Sequence, residues 1–171
     1  MEEKQLEQLS GTVEEITFRK VENGFTVLDL NSDGELVTVV GVLPDVSAGE
    51  ELRLMGEWGF HQVFGRQFKA ELCERFLPAN SASMLKYLSS GAVKGIGPAT
   101  AEKIVAEFGD DTFEVLENHP DKLARIKGIS KDKAKLISEN FKKQFAVRQV
   151  MIYLEGFGMT PSECLKAYKA L

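Results

Sequence analysis

The sequence is poor in the residues that build disulfide frameworks, metal sites and membrane spans. Cys73 and Cys164 are far apart and belong to no CxxC pair, and His61 and His119 have no partner at ligand or triad spacing. No apolar run approaches the ~18 residues of a membrane span, and the acidic N-terminus lacks the apolar core of a signal peptide. We therefore expect a cytoplasmic protein in a reducing compartment, with no metal site and no membrane contact.

Catalytic motifs are also missing. The sequence contains no GxxxxGK[ST] phosphate loop, and its GxG turns do not follow a strand, so they do not indicate a dinucleotide site. No cluster of carboxylates suggests a nuclease. With 43% hydrophobic and 27% charged residues the composition is that of an ordinary globular protein. We expect no catalytic activity and no cofactor in this chain.

What the sequence does contain is a repeat. KGIGPATAEKI at residues 94–104 returns as KGISKDKAKLI at residues 127–137, with Ala at +6 and Ile at +9 from the first glycine. Gly95 and Gly128 adopt positive φ at little cost, and Pro98 suits a first helical turn. The backbone N–H groups at such a helix start form an anion site. The repeat predicts two related helical hairpins whose turns bind phosphate.

The charge distribution supports this prediction. Residues 1–83 carry seven basic and fifteen acidic side chains, whereas residues 84–171 carry fourteen and eleven, so the net charge of −5 hides a basic half. Within it, residues 122–148 hold nine basic side chains against Asp132 and Glu139. Although such a run is commonly a solvated helix face, its overlap with the second hairpin favours nucleic-acid contact.

The first half has the pattern of a small β-barrel. Five β-rich runs, at residues 9–18, 24–31, 36–43, 51–58 and 65–76, are separated by turn signals. Five short, evenly spaced strands with no helix to cover their edges favour a closed, OB-like barrel, which we assign to residues 1–78.

Beyond residue 78 the hydrophobic period changes to that of helices, and we assign residues 79–171 to an all-α domain. The predicted fold class is therefore α+β, a five-stranded barrel followed by tandem hairpins near residues 95–97 and 128–130. A third, degenerate copy places Gly156, Phe157, Gly158 and Leu165 on the same offsets. Because Glu155 replaces the lysine before its turn, we expect this copy to be mainly structural.

Aromatic and basic residues alternate at residues 56–71. Trp58 and Arg66 there are candidates for stacking on single-stranded bases. Core packing is the more common role of aromatic residues on barrel strands, so both interpretations stay open.

With its barrel, the TVVGVLPDVSAGEELRLMGEWGFHQVFGRQFKAE segment and hairpins around GIGPATAEKI, nearly the whole chain resembles the N-terminal region of RecD-like (RecD/TraA family) DNA helicases. The resemblance implies an ATP-dependent 5′ to 3′ helicase acting in DNA repair or recombination. ATP and Mg²⁺ would bind to motor domains of the same polypeptide, and the motor motifs are absent from these residues. The activity expected of this chain is sequence-independent DNA binding.

Two other interpretations remain open. The Holliday-junction-binding subunit of the bacterial branch-migration complex also places an OB-fold before two helix-hairpin-helix motifs. Alternatively, the hairpins serve only protein–protein interaction, although the intact Lys94-Gly95-Ile96-Gly97 turn argues against that.

The predicted contacts to the backbone phosphates of single-stranded or forked DNA follow from the two hairpins. In the first hairpin they are Lys94, Gly95, Ile96, Gly97, Ala99, Thr100 and Lys103. In the second they are Lys127, Gly128, Ile129, Ser130, Lys131, Lys133 and Lys135.

Overall fold

The computed structural model describes residues 6–155 and Glu163. The chain divides into two compact units: the second is Pro78–Val150, and the first takes the described residues before Pro78 together with those from Met151 on. The first unit contains a β-barrel and the second is helical. The predicted third hairpin at residues 156–165 lies outside the described residues, apart from Glu163.

The barrel contains five strands. They are β1 (Glu7–Arg19), β2 (Phe25–Ser32), β3 (Glu35–Val42), β4 (Glu51–His61) and β5 (Gly65–Phe76). The strand β4 is longer than the sequence predicted, because it continues to His61 and leaves only a short turn before Gly65.

The strands close into a barrel in the order β1-β2-β3-β5-β4, with β1 also paired to β4. All pairs are antiparallel except β3 with β5, which is parallel and joins three residue pairs, Thr38 to Gln67, Val39 to Phe68 and Val40 to Lys69. Closure removes the exposed sheet edges that an open sheet would have. The predicted OB-like barrel and α+β fold class are confirmed.

Alternate residues of each strand fill the barrel. The side chains with no exposed surface include Val13, Leu28, Leu30, Val39, Leu54 and Phe68. Their period of two is the pattern of strands with one buried face, and it fixes the register of the sheet.

A buried ion pair lies where the loop before β4 meets the end of β5. The carboxylate of Glu50 is fully buried and accepts hydrogen bonds of 3.1 Å from Arg75 Nη2, whose side chain is 6% exposed. The Ser47 backbone N–H also donates to this carboxylate, and Arg75 Nη2 donates to the carbonyl oxygen of Asp45. These contacts join a loop to a strand that follows it by 25 residues.

The helices are α1 (Ser81–Ser89), α2 (Pro98–Phe108), α3 (Thr112–Asn118), α4 (Pro120–Leu123) and α5 (Lys131–Glu155). Asn80 caps α1, since its Oδ1 accepts from the Ser83 backbone N–H at 3.0 Å. Asp110 adds a second acceptor to the same helix start through a 2.8 Å bond from Ser81 N–H. Asp110, which follows α2, thus connects the end of that helix to the start of α1.

Candidate nucleic-acid interface

The first hairpin turn connects α1 to α2. Gly95 has a φ of +95°, a conformation that favours glycine. The N–H of Ile96 donates to the Val93 carbonyl oxygen at 3.3 Å, and helical bonding begins when Ala101 N–H donates to the Gly97 carbonyl oxygen at 2.9 Å. The chain therefore turns tightly at Gly95 and enters α2 at once.

The second turn repeats this geometry. Gly128 also has a φ of +95°, the N–H of Ile129 donates to the Ile126 carbonyl oxygen at 3.1 Å, and Ala134 N–H donates to the Ser130 carbonyl oxygen at 2.8 Å. The φ value equals that of the residue 33 positions earlier, and the same two hydrogen bonds form at lengths within about 0.2 Å. The sequence repeat is thus a repeat of backbone conformation.

The repeated apolar residues anchor both turns in one core. Ile96 and Ile129 are 4% and 5% exposed, and the Ala and Ile residues at +6 and +9 of each copy are buried as well. The predicted contacts of Ile96 and Ile129 with DNA are therefore limited to their backbones, and their N–H groups already bond within the turns. Their side chains hold the turns in place.

The N–H groups left for a ligand lie slightly further along the chain. Gly97, Ala99 and Thr100 precede the first helical hydrogen bond of α2, and Gly97 provides no side-chain cap. In the second turn Ser130 Oγ accepts from Lys133 N–H at 3.1 Å, so one donor of α5 is already used. Because Pro98 has no N–H, each turn keeps three free donors, at residues 97, 99 and 100 in the first and at residues 130–132 in the second.

Each hairpin also contacts the turn of the other. Asn140 on α5 donates from Nδ2 to the carbonyl oxygen of Lys94 at 2.8 Å. Conversely, Lys103 on α2 places Nζ 3.6 Å from where a Cβ on Gly128 would lie. Sequence reasoning missed Asn140, because its counterpart in the first copy, at +12 from Gly95, is Glu107, and no shared residue type marks the position.

The predicted lysines are all at the surface. Lys94, Lys103, Lys127, Lys131, Lys133 and Lys135 are exposed, and Thr100 is partly buried. Lys103, Arg125 and Lys127 line a shallow depression beside Gly128 that also contains Glu107. Arg148 is 6% exposed, so it does not belong to the basic surface that the charge count suggested.

Trp58 and Arg66 lie together in the barrel. The Arg66 guanidinium carbon is 3.8 Å from the centre of the Trp58 ring, and the ring packs edge-on against Phe68 at 5.2 Å. Trp58 is partly buried against the barrel core. Arg66 covers one face of the Trp58 ring. A base that stacks here must therefore contact the exposed part of the ring or of the Arg66 guanidinium. Base stacking here stays a prediction.

The two histidines contact other groups of the protein. His61 Nδ1 accepts from the backbone N–H of Val63 and of Phe64, at 3.1 and 3.2 Å, so it holds the β4–β5 turn. His119, which follows α3, has its Nε2 3.9 Å from Glu114 Oε1.

Among residues 6–155 and Glu163, no group of His, Cys, Asp and Glu has the arrangement of a metal site. Within the same residues, no helix has the length and apolarity to cross a membrane.

Known proteins share both units. Residues 6–78 match the family described as the OB-fold domain of the ATP-dependent DNA helicase YrrC, and residues 86–143 match the SAM-like helix-hairpin-helix tandem. The YrrC match favours the helicase over the junction-binding alternative.

A curated relative, the ATP-dependent RecD2 DNA helicase of Deinococcus radiodurans, is 27% identical over 169 residues. The alignment covers 95% of this chain and 24% of the relative, so the chain spans only a minor part of that protein's length. The two matched domains and this alignment support the resemblance: the chain is similar to the N-terminal OB-fold and helix-hairpin-helix region of a RecD-like helicase.

Proposed function

We propose that this region binds DNA through the backbone phosphates that its two hairpin turns contact. The matched domains support nucleic-acid binding by an accessory region of a helicase. Phosphate binding at the turns is supported by their similar geometry. Each turn has a glycine at φ +95° and the same pair of backbone hydrogen bonds. Two turns of similar geometry on one apolar core provide two phosphate sites.

Each turn combines backbone N–H donors with positively charged lysine side chains. In the first, the N–H groups of Gly97, Ala99 and Thr100 bind one phosphate, with Lys94 and Lys103 as counter-charges. In the second, the N–H groups of residues 130–132 remain for a phosphate, and Lys127, Lys131, Lys133 and Lys135 supply more counter-charge. Phosphate contacts carry no base information, so binding is independent of sequence.

In the longer protein, this module holds single-stranded or forked DNA while the motor domains translocate. Those domains bind ATP and Mg²⁺, and the helicase acts in the cytoplasm in DNA repair or recombination. The present chain contributes binding alone.

The test is a fluorescence anisotropy titration of the intact chain with labelled single-stranded, duplex and forked DNA of two unrelated sequences. We expect a dissociation constant of about 10⁻⁴ to 10⁻⁶ M, equal for the two sequences, that weakens steeply with salt. The double variant Lys127→Glu, Lys131→Glu should weaken binding at least about tenfold and lower the salt slope by roughly two.

The matched control is Lys142→Glu with Lys143→Glu. These two lysines are also exposed on α5, but Lys143 lies about 18 Å along the helix from Lys131. The control should retain most of the affinity. Equal losses in the two double variants, or no binding by the parent chain at low salt, contradict the proposal.

A further inference from the structure

The outer surface of the barrel carries a groove that the hairpin turns do not explain. The groove has a volume of about 870 Å³ and crosses β2, β3 and β5. Its apolar walls include Phe18, Phe25, Val27, Val40 and Phe64. Phe18 and Phe64 are 52% and 72% exposed, whereas solvent-facing strand positions are usually polar. A concave apolar surface of this size is typical of a binding site.

Two aromatic pairs stand at the ends of this groove. The rings of Phe18 and Phe25, at the β1–β2 end, are 6.3 Å apart. At the β4–β5 turn, the rings of His61 and Phe64 are 4.8 Å apart. Because His61 accepts two backbone hydrogen bonds within that turn, Phe64 is held in position despite its exposure.

Gln67 supplies a polar group in the groove lining. The residue is 9% exposed. A primary amide offers both a donor and an acceptor to a ligand in the groove. The complementary ligand group has an acceptor and a donor of its own, as a peptide unit does.

The charges around the groove decide which kind of ligand fits. Asp29 lines the groove and pairs in register with Glu15 of β1, so two carboxylates are neighbours. Lys69 is the cation among the lining residues, and Glu57 lies directly opposite it in the β4–β5 pairing. Residues 6–77 carry thirteen acidic and six basic side chains. This field repels the phosphates of a nucleic acid and attracts a basic ligand.

We propose that this groove binds an extended peptide segment of a protein partner, with one or two large apolar side chains followed by a lysine or arginine. The apolar side chains fill the space between the two aromatic pairs, and a peptide group of the segment bonds to Gln67. The basic residue lies against Asp29 and Glu15. This site is on the barrel and is independent of the phosphate sites in the helical unit, so it goes beyond the proposed function.

The probe is a library of random 12-residue peptides displayed on phage, selected on the intact chain and depleted on Phe64→Ala. Enriched sequences should combine an aromatic or large aliphatic residue with a nearby lysine or arginine. A labelled synthetic peptide of the consensus should bind Phe64→Ala about tenfold more weakly, the loss expected of a central interface residue. Asp29→Lys should lower its affinity roughly fivefold.

Leu36→Ala is the matched control, because Leu36 is 66% exposed on β3 but does not line the groove. It should leave peptide binding unchanged, as should the double variant Lys127→Glu, Lys131→Glu. The proposal is overturned if no enriched family distinguishes the parent chain from Phe64→Ala, or if the enriched peptides are acidic. It is equally overturned if Phe64→Ala weakens binding of a 12-residue oligothymidylate instead, which would make the groove a nucleic-acid site.

Discussion

Asn140 and Lys94 are 46 residues apart in sequence and joined by a 2.8 Å hydrogen bond, through which a side chain of the second hairpin supports the backbone of the first turn. Gly95 lies next to this bond, since a Cβ there would be 3.5 Å from Asn140 Nδ2. The first turn is thus held by a residue outside its own repeat.

Replacing Asn140 by aspartate should weaken DNA binding by about fivefold and stability by about 1 kcal/mol, because a carboxylate cannot donate to the Lys94 carbonyl and adds a negative charge near the phosphate site. Anisotropy titration and urea denaturation measure the two effects. Asn118→Asp adds the same charge at an exposed position at the end of α3 and should change neither quantity appreciably. Equal effects of the two substitutions would show that the hydrogen bond from Asn140 to Lys94 contributes to neither DNA binding nor stability.

Ser130 gives a prediction about the start of α5. Its Oγ caps the helix through Lys133 N–H, so Ser130→Ala should cost about 1 kcal/mol of folding free energy, whereas Ser130→Gly should cost only a few tenths. Glycine is the residue that the first hairpin has at this position. Thermal unfolding of the two variants separates them, and an alanine variant as stable as the glycine variant contradicts the assigned cap.

The Glu50–Arg75 pair predicts a large stability effect in the barrel. Glu50→Gln leaves the buried Arg75 without its carboxylate and should cost about 3–5 kcal/mol. Glu74→Gln is the control, because Glu74 forms a 3.8 Å pair with Arg53 in which both side chains are more than half exposed, and such pairs contribute at most about 1 kcal/mol. Urea denaturation followed by circular dichroism gives both values. Similar losses of unfolding free energy would mean that the buried pair stabilises the barrel no more than the exposed pair does.

Base stacking at Trp58 has a direct measurement, since the chain contains one tryptophan. Stacking predicts that a 12-residue oligothymidylate quenches Trp58 emission and that Arg66→Ala, which uncovers the ring, changes the quenching. Unchanged emission at DNA concentrations that saturate the anisotropy signal would assign Trp58 to packing alone.

The sequence predicted those parts of the fold that depend on local residue patterns. The glycine, alanine and isoleucine offsets predicted both hairpins, because each residue type has one role in the turn and each recurs in both copies. The barrel strands followed from alternation and turn residues. These signals are local, so a single sequence contains them.

Contacts between distant residues were not predictable in this way. Nothing near Asn140 indicates that it bonds to Lys94, and the burial of Arg148 breaks the rule that charged side chains in a basic run face solvent. The burial of the Ile96 and Ile129 side chains likewise depends on contacts with distant residues, and their predicted contact with DNA stays a prediction. The groove beside Phe64 depends on how the barrel closes, which no local pattern specifies.

The parallel pairing of β3 with β5 has a consequence for how the barrel opens. Three residue pairs join these strands, whereas every other neighbouring pair of strands shares six or more. Backbone amides along this seam should therefore exchange with deuterated solvent sooner than those of the antiparallel ladders. Thr38, Val40, Gln67 and Lys69 belong both to the seam and to the groove lining, so a ligand in the groove spans the place where the barrel separates most easily. Slower exchange at these amides would then report occupancy of the groove without any label on the ligand.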